Sequence, residues 1–326
     1  MTVSRVLHDE SAVLSKTRAK VHTAITKLGY VPNAAARSLA SGLQCRITLL
    51  YSNPSASYLA DFLLGCIQQA GESNALLNVE YCAGDEPSRA LVRRLVGHKV
   101  DAVLLPPPQC DDAGLLAALR AVGLPIAQVA TGMPAAFANA VTINDEQAAH
   151  AITAYLVTQG HRRIGIITGN TNQSVSALRR AGYERALREA GLAVDGRLVA
   201  RGDFSYRSGL EAAESLLARR AKPTAIFASN DDMAAATVAI AHRRGLAVPH
   251  DLSVCGFDDT AMASTTWPEI TTIRQPVIEM ARRATAQLAE ACRGRRRTGG
   301  VVVQHLQLDY ELVRRNSVAP PGVRKN

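Results

Sequence analysis

Aromatic residues make up only 4% of this chain, with a single tryptophan among them. No apolar run escapes charges, Gly and Pro for long enough to cross a bilayer, and no apolar segment follows the basic residues near the N-terminus. The first absence excludes a helical membrane protein, and the second points away from export. The six cysteines, Cys45, Cys66, Cys82, Cys110, Cys255 and Cys292, form no C-x-x-C pair and no compact framework. That scatter predicts reduced thiols in a cytoplasmic protein rather than a zinc or disulfide scaffold. Also missing are a P-loop, a G-x-S-x-G, a G-x-G-x-x-G after the first apolar run, and any His/Cys cluster at metal spacing. Neither an enzyme nor a cofactor is therefore expected. Paired acids, Asp231/Asp232 and Asp258/Asp259, invite a metal or acid–base reading, but nothing else joins them.

What is present is the composition of a large globular protein: 326 residues, 47% hydrophobic and 20% charged. The net charge of +9 is unevenly placed. Residues 1–46 hold seven Lys or Arg against Asp9 and Glu10, which is +5, and residues 293–326 hold eight against Asp309 and Glu311, which is +6. The long middle is left near neutral, at −2. A basic head on a neutral body fits a polyanionic partner, since Lys and Arg gain affinity by releasing phosphate counterions. For the run "RGRRR" from Arg293 to Arg297, a solvated surface is the preferred reading.

From residue 46 onward, short β-branched runs alternate with amphipathic stretches: RITLLY, NVEYCAG, DAVLLP, PIAQVA, RIGIITG, LVARGDF, TAIFASND, LSVCGFDD. Such alternation predicts parallel sheets covered by helices. In one intervening helix Asp145 is the expected N-cap, Ala148, Ala151, Ile152, Tyr155 and Leu156 share a face, and Gly160 suits a left-handed stop. Eight strands exceed one convenient sheet, and "NAVTIND" (139–145) marks the change from one α/β lobe to the next. Polar groups stand after the strands, Asn53, Ser57, Thr168, Asn170, Asn230 and Asp258 among them, so a cleft between lobes is the natural ligand site. Before residue 46 the pattern is helical. Val21, Ala24, Ile25 and Leu28 form a stripe, with Ser15 as N-cap and Gly29 as stop, and an Ala-rich helix after Asn33 ends at Gly42.

These residues resemble the LacI/GalR family, the lactose-repressor type of bacterial transcription regulator. TVSRVL is similar to its recognition helix and KTRAKVHTAITKLGYVPNAAARSLASG to its third and hinge helices. GHRRIGIITG, RRAGYERAL, GDFSYRSG, IFASNDDMA, SVCGFDD and TTIRQP are similar to its effector-domain signatures, in the family's order. The resemblance implies a two-lobed, periplasmic-binding-protein-like α/β effector domain behind a small all-α head. The domains expected are a partial helix-turn-helix at 1–31, a hinge at 32–45, a first lobe at 46–145 plus 276–298, and a second at 146–275 plus 299–326. Family members begin with one more helix than is present here, so either translation starts upstream of Met1 or the reading head is incomplete.

The resemblance also implies roles. Thr2, Ser4 and Arg5 would address the major groove, Lys16, Thr17 and Arg18 the phosphates at a helix N-terminus, and Asn33 and Leu39 the hinge and a minor-groove step. Ser57, Tyr58, Arg179, Phe204, Asn230, Asp258 and Gln275 would bind the effector. Arg179 would face an open, wet cleft and contribute little to folding, and crossovers near Asp145, Gln275 and Gln304 would act as hinges. The partners implied are a pseudo-palindromic double-stranded operator, a second copy of the chain, and a small polar effector, a sugar. Two rivals share these features: a solute-binding protein of a transport system, and a truncated regulator without specific DNA binding. Ala130 stands where some sugar-binding relatives carry an acid, so effector identity does not transfer.

Overall fold

A computed structural model describes residue 6 and residues 14–28, 44–82, 86–298 and 302–322. The chain divides into two units, Met1–Gln44 and Cys45–Asn326. Thr2, Ser4, Arg5, Asn33 and Leu39, with the expected hinge helix, lie outside the described residues.

In the first unit, α1 spans Ser15–Lys27. Ser15 is the first helical residue, not the cap: Leu14 holds the cap position, and its carbonyl accepts the N–H groups of Thr17 and Arg18 at 2.9 and 3.0 Å. Lys16, Thr17 and Arg18 thus fall in the first turn, Lys16 exposed and the other two half-buried. Of the predicted stripe, Val21 and Ile25 are half-buried whereas Ala24 and Leu28 are exposed.

The second unit contains all eight predicted strands. They are β1 (Arg46–Tyr51), β2 (Leu76–Tyr81), β3 (Ala102–Leu105) and β4 (Ile126–Val129), then β6 (Ile164–Thr168), β7 (Val199–Arg201), β8 (Ala225–Ala228) and β9 (Ser253–Cys255). Between the two sets lies β5 (Asn139–Thr142), and near the C-terminus come β10 (Thr272–Arg274), β11 (His305–Gln307) and β12 (Glu311–Val313). One sheet runs in the order β11-β5-β4-β3-β1-β2 and another in the order β7-β6-β8-β9, both parallel, while β10 and β12 pair antiparallel. Parallel pairing requires crossovers, which the helices supply: α2 (Ala56–Glu72), α3 (Ser88–Gly97), α4 (Ala113–Ala121), α5 (Asp145–Thr158), α6 (Ser174–Glu189), α7 (Tyr206–Leu217), α8 (Asp231–Arg243), α9 (Ala261–Thr265) and α10 (Val277–Thr298). Among the described residues, no helix is long and apolar enough to cross a membrane.

The inner strands β1, β6 and β8 read as continuous apolar runs because both faces are covered. One core cluster joins Ile47, Leu49 and Val141 of the first sheet to Ile164, Ile166 and Phe227 of the second.

Three expectations need correction. The strand β11 hydrogen-bonds to β5, so residues 305–307 belong to the first lobe's sheet, and the third crossover follows Gln307 rather than Gln304. A three-residue strand carries no periodicity to reveal its side. Second, the helix cap before α5 is Asn144, whose side chain accepts from the Gln147 N–H at 2.9 Å, which frees Asp145 for another task. Third, Cys45 and Cys292 are joined by a disulfide with Cα atoms 6.0 Å apart, although 247 residues separate them in sequence. Local spacing could not reveal a pair brought together by α10 packing along the first sheet.

Candidate functional site

In each sheet the chain leaves the first strand in opposite directions, β1 lying between β2 and β3 and β6 between β7 and β8. Such reversal points open a crevice at the carboxyl ends of the strands. A narrow cavity of about 20 Å³, partly open to solvent, lies there, lined by Asn53, Ser55, Tyr58, Pro107, Ala130, Gln173, Val175, Arg179, Phe204, Asn230, Asp258 and Gln275. Six of the seven effector residues expected from the sequence meet in it: Tyr58, Arg179, Phe204, Asn230, Asp258 and Gln275. Ser57 does not. It sits half-buried on the first turn of α2, while Ser55, at the N-cap, turns inward. Trp267 is 77% exposed and takes no part.

Arg179 is the organising group. It is only 3% exposed, and its Nε donates to Asp145 Oδ1 at 2.8 Å, its Nη1 to the Ser229 carbonyl at 2.6 Å. Asp258 Oδ1 lies 3.7 Å from Nη1, and the guanidinium carbon stands 3.6 Å from the centre of the Phe257 ring and 5.9 Å from that of Phe204. A cation between aromatic faces and two carboxylates is held at one orientation, with Nη2 left for a ligand. Burial here corrects the view of Arg179 as a wet surface group.

The surrounding carboxylates divide by environment. Burial pushes Asp258 up to about 7, against the pull of Arg179 and of Gln275, whose Nε2 donates to Asp258 Oδ1 at 2.6 Å. Burial also raises Asp145, with Arg179 opposing. Asp258 has φ of +110°, a costly backbone for a non-glycine residue, and such strain gathers where a side chain must be aimed. Asp231 accepts from the Thr260 N–H at 2.8 Å and from the Thr272 hydroxyl at 2.7 Å, so it ties α8 to the start of α9 and to β10. Asp259 pairs with Arg274 at 2.6 Å. Asp231 and Asp259 are thus held by structural partners.

Phe204 enters the cavity wall at φ +72°, with its carbonyl accepting from Asn230 Nδ2 at 2.8 Å. Its ring presses on Gly169, where a Cβ would come within 1.9 Å of it. The "GIITG" motif ends in glycine for that contact. Two cavity atoms lack any protein partner among the described residues: Tyr58 Oη and Gln275 Oε1. Sequence reasoning missed Ser55, Gln173 and Val175, as well as Asp145 behind Arg179. Ser55 carried a cap signal before α2, Asp145 reads from the sequence only as a cap and hinge residue, and Gln173 and Val175 carried no signal.

Comparison with known proteins adds the following. A model of bacterial regulatory proteins of the lacI family matches residues 1–33, and one of the periplasmic binding protein-like domain matches residues 153–318. The HTH-type transcriptional regulator DegA of Bacillus subtilis is 32% identical over 324 residues, covering 98% of this chain and 94% of that protein. Among solved structures, the Lac repressor dimer bound to operator and the anti-inducer ONPF superposes with a TM-score of 0.80 at 27% identity, over 98% of this chain and 94% of that one. The transcriptional regulator CelR–cellobiose complex does so with a TM-score of 0.77 at 29% identity, over 96% and 94%.

Proposed function

Because the chain belongs to the lacI family of bacterial regulatory proteins, we propose that it is a cytoplasmic repressor that binds a pseudo-palindromic operator as a homodimer and releases it when a sugar closes the cleft. A transport role gives way to the family membership, and no enzymatic role remains.

The observation that carries the effector reading is the pair of unpartnered buried atoms, Tyr58 Oη and Gln275 Oε1, facing the same cavity as Arg179 and Asn230. A buried polar atom without a partner costs about 1–3 kcal/mol, which a ligand with its own donors and acceptors recovers. Sugar hydroxyls offer both, and the Phe204 and Tyr58 rings give an apolar face for the pyranose carbons. The cellobiose complex of a relative supports the class without naming the compound. For pairing, α2 exposes Leu64 and Ile67, and the edge strand β2 exposes Leu76, Val79 and Tyr81. An apolar edge of this kind favours an isologous contact, and two-fold symmetry in the protein asks for it in the DNA.

Thermal-shift screening of sugars beside nucleobases, amino acids and organic acids tests the effector. A compound at a hundred times its dissociation constant should stabilise the fold by about 2.7 kcal/mol. Tyr58→Phe should weaken that compound selectively. A shift produced only by non-sugars would overturn the sugar assignment, and a monomer at micromolar concentration by sedimentation would overturn the dimer.

A further inference from the structure

The sequence leaves one strong feature unused, the arginine run at the end of α10. Its place in the fold is set by the Cys45–Cys292 pair: Cys45 is the first residue of the effector unit, where the chain arrives from residues 1–44, and Cys292 is held against it. The helix continues for six residues past Cys292 to Thr298, about 9 Å at 1.5 Å per residue. Arg293 and Arg295 are exposed on that extension, and Arg295 Nη2 lies 3.7 Å from the Cβ position of Gly123 in the turn before β4.

This edge of the first sheet is where parallel strands begin and their crossover helices end. The residues before β1, β3 and β4 therefore share it, and with them Arg46, Lys99 and Arg120. Arg120 leans on Phe137, just before β5 on the same edge, its guanidinium carbon 4.7 Å from the ring. The acids nearby in sequence are Asp101, one oxygen of which accepts the Arg46 N–H at 2.9 Å, and Glu290. Cations here outnumber acids, beside the point where the chain comes in from its DNA-reading head.

We propose that this edge, led by Arg293 and Arg295, is a second DNA contact that binds phosphates flanking the sequence read by the head. The proposal rests on the DNA-binding reading above. It corrects the preference for a merely solvated run. A solvated run needs no particular location, whereas this one is fastened by Cys292 to Cys45, the first residue of the effector unit, and joined by three cations from separate elements. Phosphate contacts carry no sequence information, so the edge would add affinity and salt dependence without altering the site preferred.

The test uses the full chain and the duplexes it selects from a random pool, with affinity measured against salt concentration. R293Q/R295Q takes four arginines from the homodimer, so it should weaken binding by at least about tenfold at moderate salt and make the log–log salt slope shallower by about 3.6, at unchanged melting temperature and unchanged selected sequence. R188Q/R207Q removes the same charge from the exposed faces of α6 and α7 and should do neither. Equal losses from both pairs would reduce the effect to net charge and overturn the proposal. So would no loss from either. If selection recovers no preferred sequence, the operator reading fails separately, and mixed-sequence duplex then decides the edge: it stands if R293Q/R295Q alone loses affinity there, and falls otherwise.

Discussion

Arg179 sits on the helix and at the position that the "RRAGY" run predicts, but its surroundings change what its removal should do. With Asp145 only 1% exposed and bonded to it at 2.8 Å, Arg179→Ala would leave a buried carboxylate without its cation. Breaking such a pair from one side costs about 3–5 kcal/mol. Denaturant unfolding should therefore show a loss of that order together with the loss of effector binding, and adding Asp145→Asn should recover part of the stability. An unchanged midpoint would mean that the pair contributes nothing. Asp258 gives a pH signature. Its carboxyl is raised by burial from 3.8 to about 7, so between about pH 4 and 7 the folded chain holds a proton that the unfolded chain has released. Its contribution is full below about pH 4, is lost as pH rises to about 7, and stays flat above. Melting temperature followed across that window should fall less steeply in Asp258→Asn than in the parent, and parallel slopes would remove Asp258 from the account. Strand position made Asp258 legible in the sequence, and the family resemblance pointed to Arg179. Their burial was not legible, because it depends on Phe257, Ser229 and Asp145 arriving from three other segments.

Elements were the most legible scale where apolar runs were long and the least where they were short. The runs behind β1, β3, β6 and β8 are buried on both faces; the first three were found within about a residue, and the run behind β8 extends three residues past its end. The C-terminal strands have three residues apiece and half-exposed patterns, so neither period nor composition could assign β11 to the first sheet. Caps were displaced by one residue for a physical reason: Asn and Asp both suit a cap, and "IND" offered Asn144 and Asp145 together. One motif glycine shows a packing demand that sequence can point to without explaining. A Cβ at Gly182 would stand 2.1 Å from the Glu146 carbonyl oxygen and 2.8 Å from the His150 nitrogen, which are backbone atoms of α5 that cannot swing aside. Gly182→Ala should therefore force α5 and α6 apart and cost about 1–3 kcal/mol, although alanine favours a helix by up to about 1 kcal/mol. A melting temperature equal to or above the parent's would show that the helices can separate freely.

Across the whole molecule, the two lobes were foreseen from strand number and from the polar groups at strand ends, whereas the bonds that draw the lobes together were not. Ser174, at the start of α6 in the second lobe, donates to Asp111 Oδ2 of the first through its N–H at 2.7 Å and its hydroxyl at 2.8 Å. Its Oγ accepts in turn from the Gly132 N–H at 2.7 Å, and Thr131 holds the other Asp111 oxygen at 2.6 Å. At the cavity wall the Ser55 hydroxyl donates to Asp232 Oδ2 at 2.5 Å. These bonds join the two lobes, so closure has a framework of its own that an effector only has to reinforce. Hydrogen bonds to a carboxylate contribute about 1.5–3 kcal/mol each, and every 1.4 kcal/mol moves an open–closed ratio about tenfold. Asp111→Ala should therefore shift the ligand-free chain toward open forms, visible as a larger radius of gyration in small-angle scattering. Effector affinity should fall at the same time, because the ligand must then supply the closing free energy that Asp111 provided. Asp111 lines no part of the cavity, so a loss of affinity from its removal would report closure rather than a lost ligand contact. Scattering and affinity both unchanged in Asp111→Ala would mean that the lobes stay together through their shared core, and that the switch must be sought in the crossovers instead.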